Sequence, residues 1–354
     1  MDEVFTEEDN RRLVCDLTDE EVKVSLGRAN RLSSPGSDAM CYTVYHACWN
    51  IIGPHLCDVL RQVIRTGVPT MTQRHAYLVF TPKVGKEGSD RSKDLRRLFM
   101  CQTDLKLLSA SLAERLKRSE AYTLSPMQFS AGPRRIAHAI SRARDVVDNT
   151  KPTDRGCAVV ETDFVGAYEK MSVSWVWKVP QKKKCDEGFV SVLRAIYEQT
   201  DSFIIPMVNN EPQKRLTNKR KNIRTGDSIA TCLFNYGVDP LLILLNKKLK
   251  GIEYFRCVTQ GPAHPLFGKP RPVSEKVKVI GFVDDVKGFL SSREDFTTLD
   301  SSIGLFERST GAQLHRETES KKCQVLPLGK WKKWKQADCP LPYVAVVSHL
   351  SFLE

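Results

Sequence analysis

Asp284 and Asp285 stand side by side between two apolar arms, and a third acid, Asp163, ends another apolar run. Val277–Val283 and Val286–Leu290 read as extended segments, so the acid pair falls at the tip of a hairpin. Cys157–Thr162, with β-branched Val159 and Val160, reads as a buried strand that delivers Asp163 to its end. Adjacent acids are common in turns, where one caps the turn and the other is solvated. A third acid at the end of a second strand points to different chemistry. Carboxylates clustered this closely repel one another unless a divalent cation neutralises them. Two such cations can activate a 3′-hydroxyl and stabilise a leaving pyrophosphate, so this constellation suits phosphoryl transfer.

The elements that must position these acids alternate between helical and extended patterns. Asp19–Arg28 follows Thr18, an N-cap with Glu21 three residues on, and Tyr42–Ile64 is amphipathic. The turn SSPGSD, Ser33–Asp38, separates them. His75–Phe80 alternates like a strand and then turns at Pro82 and Gly85. Helices are expected over Asp104–Lys117 and Arg135–Val147, and a strand over Phe203–Val208 ending at Asn209 and Asn210. A helix over Asp227–Leu249 would start on a good capping residue. This mixture predicts an α+β or α/β protein with a central sheet, and fold class alone gives no function.

Composition narrows the setting. The 354 residues carry 54 Lys plus Arg against 42 Asp plus Glu, a formal charge of +12, and 41% are hydrophobic, enough to build cores. The apolar run at Leu241–Leu245 is far shorter than the ~20 residues that span a bilayer, and the opening MDEVFTEEDNRR is acidic, so neither anchor nor secretory signal is expected. Eleven cysteines without a CxxC pair read as reduced thiols, with no disulfide-linked partner and an intracellular location, nucleus or cytoplasm. Cys41, His46, Cys48, His55 and Cys57 lie close in sequence but lack the spacing of a tetrahedral zinc site, and read as half-buried helix residues. Positive charge gathers at Lys182–Lys184, in KRLTNKRKNIR (Lys214–Arg224) and in KWKKWK (Lys330–Lys335). Such runs fit a polyanion through counterion release and base stacking, or else are solvated loops.

The motifs in order resemble one family. GFVDDVKGF (Gly281–Phe289) looks like the aromatic-x-Asp-Asp hairpin of reverse transcriptases, and ETDFVGAYEK (Glu161–Lys170) resembles their first palm motif through Asp163, Ala167 and Tyr168. NIRTGDSIATCLFN matches a further motif at Arg224, Gly226, Asp227, Leu233, Phe234 and Asn235. LRRLFMCQTDLKLLSASLAERL (Leu95–Leu116) is similar to the family's fingers segment, with Arg96, Thr103, Asp104, Lys106, Ala113, Arg115 and Leu116 in register. SSPGSD and GAQLHRETESKKCQVLPL (Gly311–Leu328) resemble segments of the non-LTR, LINE-like retrotransposon branch.

The resemblance implies an α+β right-hand polymerase fold. It would comprise an N-terminal helical extension (1–65), fingers (66–156), and a palm (157–330) with a fingers insertion near 178–225. HLSFLE (His349–Glu354), within 331–354, resembles the start of a primer-grip segment; the thumb is expected to be truncated, no endonuclease is visible, and processive synthesis is expected to be weak. RNA-directed DNA synthesis is the implied function, with an RNA template, a DNA primer, deoxynucleoside triphosphates and two Mg²⁺ ions, Mn²⁺ being an alternative. Asp163, Asp284 and Asp285 would be catalytic, with Asp163, Asp284 and the Phe164 backbone holding metal. Tyr168 would exclude a 2′-hydroxyl, Arg96 and Lys83 would cradle the triphosphate, Gly226 would permit close backbone approach, and Lys322 would protonate pyrophosphate. Arg224, Lys219, Arg220 and Lys221 would contact nucleic acid.

Thr225, Asn222, Ser228, Ala230, Arg97 and Glu169 depart from the family pattern. Thr225 matters most, because it replaces a Gln amide that can hydrogen-bond nucleotide or template. The other reading of the whole chain is therefore an impaired descendant that only binds RNA.

Overall fold

The computed structural model describes residues 4–83, 85–86, 88–89, 91, 94–150, 155–200, 203–208, 211–212, 223–258, 271–317 and 321–350. The chain divides into two compact units: Met1–Thr123 with Met171–Phe234, and Leu124–Lys170 with Asn235–Glu354. Helix α10 (Ala230–Lys248) begins in the first and ends in the second. Elements are numbered in chain order. Helix and strand are mixed, as the α+β reading requires.

The first unit opens with α1 (Glu7–Val14), α2 (Asp19–Arg28), α3 (Tyr42–Ala47) and α4 (Trp49–Thr66). It continues with β1 (His75–Pro82), β2 (Leu95–Cys101) and α5 (Thr103–Thr123), and later adds α8 (Val173–Lys182), α9 (Glu187–Thr200), β4 (Phe203–Val208) and β5 (Glu211–Pro212). The strands form one sheet in the order β2-β1-β4-β5. Thr18 caps α2 as expected: its Oγ1 accepts from the Glu21 amide at 3.2 Å and the Glu21 carboxylate accepts from the Thr18 amide at 3.0 Å. The amphipathic segment expected over Tyr42–Ile64 is two helices, interrupted at Cys48. Gly53 and Pro54, the weakest helix formers of the segment, lie within the first two turns of α4, where Pro54 has no amide to close on Asn50. The expected Asp104–Lys117 helix runs on to Thr123, since no breaker intervenes before Pro126.

One buried cation ties the N-terminal helices to α5. Arg115, 5% exposed, donates from Nε and Nη2 to the Glu21 carboxylate at 2.8 Å each. Its Nη1 reaches the carbonyls of Leu13 and Cys15 at 3.0 and 2.7 Å, and Nη2 that of Asp16 at 3.0 Å. The planar fork thus satisfies three carbonyls of the α1–α2 turn, the buried one of Leu13 among them. Of the Lys182–Lys184 run, Lys183 is buried and donates Nζ to the Thr123 carbonyl at 2.7 Å, so this part of the basic sequence serves packing.

The second unit contains α6 (Ile136–Asn149), β3 (Cys157–Thr162), α7 (Ala167–Lys170), β6 (Ile252–Val258), β7 (Arg271–Val277), β8 (Val279–Phe282), β9 (Asp285–Leu290), α11 (Arg293–Thr310), β10 (Gln324–Leu328) and β11 (Ala345–Val346). Its main sheet has the order β11-β10-β3-β9-β8, and β6 and β7 form a separate ribbon. The hairpin expected from Val277 therefore starts later, because Val277 pairs with Ile252 instead. Alternation along β3 sends Cys157 and Val159 to one face, where Ala139, Ala143, Phe289, Leu326 and Leu328 join them in the core. Gly288, on the opposite face, lies under Leu299 of α11. Leu350, from the expected primer-grip segment, is fully buried in the same core cluster, and residues 351–354 of that segment lie outside the described residues.

Among the described residues no helix is long and apolar enough to cross a membrane. The cysteines whose side chains are described are all free. Burial pushes the Cys57 thiol up to about 12, as befits a core residue.

Replacing Arg115 with Met should leave Glu21 and the turn carbonyls without their donor. We expect a loss of about 3 kcal/mol in stability, read as a lower urea midpoint for the first unit, since breaking a buried pair strands its partners.

Candidate active site

The register of the main sheet brings the three acids to one edge. β3 pairs antiparallel with β9, Glu161 opposite Lys287 and Thr162 opposite Val286, so the next residues along are Asp163 and Asp285. Because side chains alternate, Glu161 and Asp163 share a face with Asp285 and Lys287, and it is the face that carries the Cys157 and Val159 core. One strand face is thus apolar at one end and charged at the other.

The β8–β9 hairpin closes on Phe282 and Asp285, leaving Val283 and Asp284 as its two turn residues. Val283 has φ +55°, a left-handed conformation that a β-branched residue adopts at a cost of roughly 1–2 kcal/mol. Gly281 is fixed by close packing, since a Cβ there would lie 2.6 Å from Leu242, and its backbone is bonded to Met127 and Phe129 at 2.8 and 2.7 Å. Both sides of the hairpin are therefore held while the tip carries the strain.

Asp163 is fixed through its backbone. His315 donates its amide to the Asp163 carbonyl at 2.9 Å and Val165 donates to Gln313 at 2.7 Å. That segment is clamped by Arg316, which donates to Asp300 at 2.7 Å and Glu307 at 2.8 Å, while the Tyr343 hydroxyl donates to Asp300 at 2.6 Å. Phe164 turns its ring into the core, edge-on to Phe306 at 5.9 Å. Tyr168 lies half-buried on the short α7, after Gly166 in a left-handed conformation (φ +52°).

The electrostatics match the crowding. Burial raises the Asp284 pKa above the ordinary value, and the negative charges of Asp285 and then Asp163 raise it further. Lys287 opposes that rise. Glu161 is also raised, first by burial; its bridge to Lys287 Nζ at 3.2 Å pulls it back, and Asp285 and Asp163 push it up again. Lys322 Nζ lies 3.5 Å from Asp163 Oδ2. Glu161 and Lys287 are functional neighbours that the motif search did not single out, although each stands two residues from a flagged acid and so on the same strand face.

Among the described residues no group of three or more His, Cys, Asp or Glu side chains is gathered to hold a metal ion. The donor chemistry nevertheless fits a divalent cation, because repelling oxygen ligands lie at the end of a buried face.

The remaining sequence candidates belong to the first unit. Arg96 and Lys83 are exposed on the β1–β2 hairpin, where Arg96 pairs with Thr81 and the Lys83 amide donates to Asp94 at 2.8 Å. Gly226 has φ +92°, and a Cβ there would sit 3.1 Å from the Phe99 carbonyl, so the close approach it permits is to β2. Thr225 donates its hydroxyl to the Arg97 carbonyl. Gly226 and Ser228 also line a groove of about 360 Å³ with Arg28, Lys106 and Lys117, which sequence reasoning did not find.

Two expectations are corrected here. Arg224 is 1% exposed, pairs with Asp227 at 2.9 Å and lies 4.1 Å over the Tyr197 ring, so it is a packed internal cation and not a surface contact for nucleic acid. Asp227, committed to Arg224 and Ser109, does not cap α10, which starts at Ala230. Lys219, Arg220 and Lys221 lie outside the described residues.

With three motif acids at one sheet edge, the sequence profile of a known family can be set beside the geometry. The profile of the reverse transcriptase (RNA-dependent DNA polymerase) family matches residues 82–335, and the chain belongs to that family. It is similar to the Transposon TX1 uncharacterized 149 kDa protein of Xenopus laevis, 24% identical over 250 residues, which are 70% of this chain and 19% of that protein. The chain thus spans about a fifth of that relative's length. A transposon relative agrees with the non-LTR retrotransposon branch indicated by SSPGSD and GAQLHRETESKKCQVLPL.

The raised Asp284 pKa has a stability consequence. A carboxyl that binds its proton more tightly in the native state than in the unfolded chain loses native stability as pH rises through the carboxylate range, and the loss persists above it. In the presence of a chelator, Asp284→Asn should therefore be more stable than the parent at neutral pH and should show a flatter pH dependence from acid to neutral. Urea midpoints at pH 3 to 7 check this; an Asn variant less stable than the parent at neutral pH contradicts it.

Proposed function

We propose that this chain is a right-hand polymerase domain that copies an RNA template into DNA from a DNA primer within a non-LTR retrotransposon protein. The observation that carries the reading is the strand register that sets Asp163, just past the end of β3, beside Asp285 at the start of β9, with Asp284 next to them in the hairpin turn. On this reading residues 66–156 act as fingers and 157–330 as palm, with an insertion near 178–225 from the fingers, 1–65 as a helical extension and 331–354 as the start of a primer grip. The setting would be the nucleus or cytoplasm.

Asp163, Asp284 and the Phe164 backbone would hold two Mg²⁺ ions, with Mn²⁺ as a substitute and Asp285 as a less direct carboxylate. Bound there, the cations would supply Lewis acidity toward a 3′-hydroxyl and a departing pyrophosphate. The chain's own groups do the rest. Tyr168 would limit space beside the sugar and favour deoxynucleotides. Arg96 and Lys83 would bring positive charge to the triphosphate, and Gly226 would fix the backbone path beside β2. Lys322, beside Asp163, would deliver a proton to the leaving pyrophosphate.

Deoxynucleotide incorporation on an RNA template with an annealed DNA primer tests the proposal. We expect it to require Mg²⁺ or Mn²⁺, and to fall by about 10²–10³-fold or more in Asp163→Ala or Asp284→Ala, the scale of removing a transition-state stabiliser. Affinity for the RNA should change little in either variant. Retained RNA binding with no incorporation by the parent would point instead to a descendant that only binds RNA.

A further inference from the structure

Among the described residues, the KWKKWK run is an exposed basic segment that the polymerase reading leaves unused. Its two tryptophans do not offer their faces to a base. Trp331 and Trp334 stack on each other with centroids 4.4 Å apart and planes at 21°, and both pack against Phe296 at 6.1 and 5.9 Å. Arg293 lies 5.5 Å over the Trp334 ring, and Gly156 has no Cβ because the Trp331 indole fills that space. The backbone is a tight turn: the Lys332 amide donates to Gly329 at 3.1 Å and the Trp334 amide to Trp331 at 2.8 Å. Pinning residues 331 and 334 inward leaves Lys330, Lys332, Lys333 and Lys335 exposed on a turn whose backbone is fixed.

We propose that these four lysines form a second nucleic-acid contact, one that grips the sugar-phosphate backbone without reading bases. Three features select this partner. Lysine ammonium groups are hydrated point charges that meet phosphates without a demanding geometry. The two half-buried rings stack on each other and Arg293 lies over Trp334, which disfavours the base stacking that would confer a single-strand preference. A membrane surface would need an apolar side chain to insert beside the cations, and the aromatic groups here are turned inward.

The contact is remote from the acids. Leu328, just before the turn, pairs with Cys157 at the start of β3, whereas Asp163 follows its end. At a strand rise of ~3.3 Å per residue the two are roughly 20 Å apart along the sheet. Along the axis of a B-form duplex one strand carries a phosphate about every 3.4 Å, so this platform would hold such a duplex about six base pairs from the acid edge. The proposal extends the polymerase reading but rests on separate residues.

The test is a salt titration of binding to a fluorescein-labelled RNA of mixed sequence, and to a DNA duplex of the same length, comparing the full chain with a variant carrying Lys330→Gln, Lys332→Gln, Lys333→Gln and Lys335→Gln. Log affinity against log salt should lose about 3 in slope, the contribution of four phosphate contacts, and equally so for different base sequences. Replacing the same four lysines with Arg should restore the slope, which separates charge from folding, and unchanged tryptophan emission should show the turn intact. An unchanged slope in the Gln variant overturns the proposal. So does a Gln variant that loses binding to phosphatidylserine vesicles while RNA binding is untouched. If the parent incorporates no nucleotide yet its slope falls in the Gln variant, the polymerase reading fails and the platform stands.

Discussion

Charge crowding at the end of an apolar strand face is the constraint around which the second unit is arranged. β3 is buried along its whole length, so its side chains must alternate between two covered faces. That alternation puts Glu161 and Asp163 on the same face as Cys157 and Val159, and pairing with β9 adds Asp285 and Lys287. The apolar half stabilises the strand; at the charged end burial, and then the neighbouring carboxylates, disfavour the ionised forms of Glu161 and of Asp284 in the adjoining turn. Lys287 and Lys322 offset part of that cost, and a divalent cation would offset more.

Holding repelling groups together demands rigid surroundings, and the structure supplies them through backbone contacts. Asp163 is gripped from its carbonyl by the 313–315 segment, which the Arg316 clamp in turn fixes to α11 and Tyr343. The hairpin is held at Gly281 by Leu242 and the Met127–Phe129 segment. The left-handed Val283 is tolerated between these anchors because both strands of the hairpin are already committed. None of these devices uses the carboxylates themselves, which leaves the oxygens available for chemistry.

Much of this was legible in the residues, and the exceptions have physical causes. β3 was legible because Cys157–Thr162 is a short, largely apolar run with β-branched Val159 and Val160, and α2 because Thr18 and Glu21 form a reciprocal cap. β2 was not, since LRRLFMC carries two arginines and becomes a strand only through its pairing with β1. α11 had a usable signal, the Ser292 and Asp295 capping box, which motif matching passed over. The acid triad was suggested by acids at the ends of apolar runs and by the family motifs, whereas the Glu161–Lys287 bridge needed the register, because the two residues meet only across strands. Asp227 shows the converse: its sequence context suits a helix cap, but a buried arginine three residues earlier claims it.

The basic runs carry the same lesson about context. Positive charge in sequence has one appearance and at least two fates here. Lys183 and Arg224 spend their charge inside the first unit, on a carbonyl and on a carboxylate with an aromatic face, so neither adds to a surface field. Lys330, Lys332, Lys333 and Lys335 remain outside, because the tryptophans between them are drawn inward by Phe296, Gly156 and Arg293. The aromatic residues thus act as anchors, and their spacing determines which way the cations face. A run of lysines without such anchors would pay the entropy of ordering each side chain and its loop on binding. With the backbone already fixed, the loop part of that cost is met in folding, and long-range attraction to phosphate can be spent on affinity.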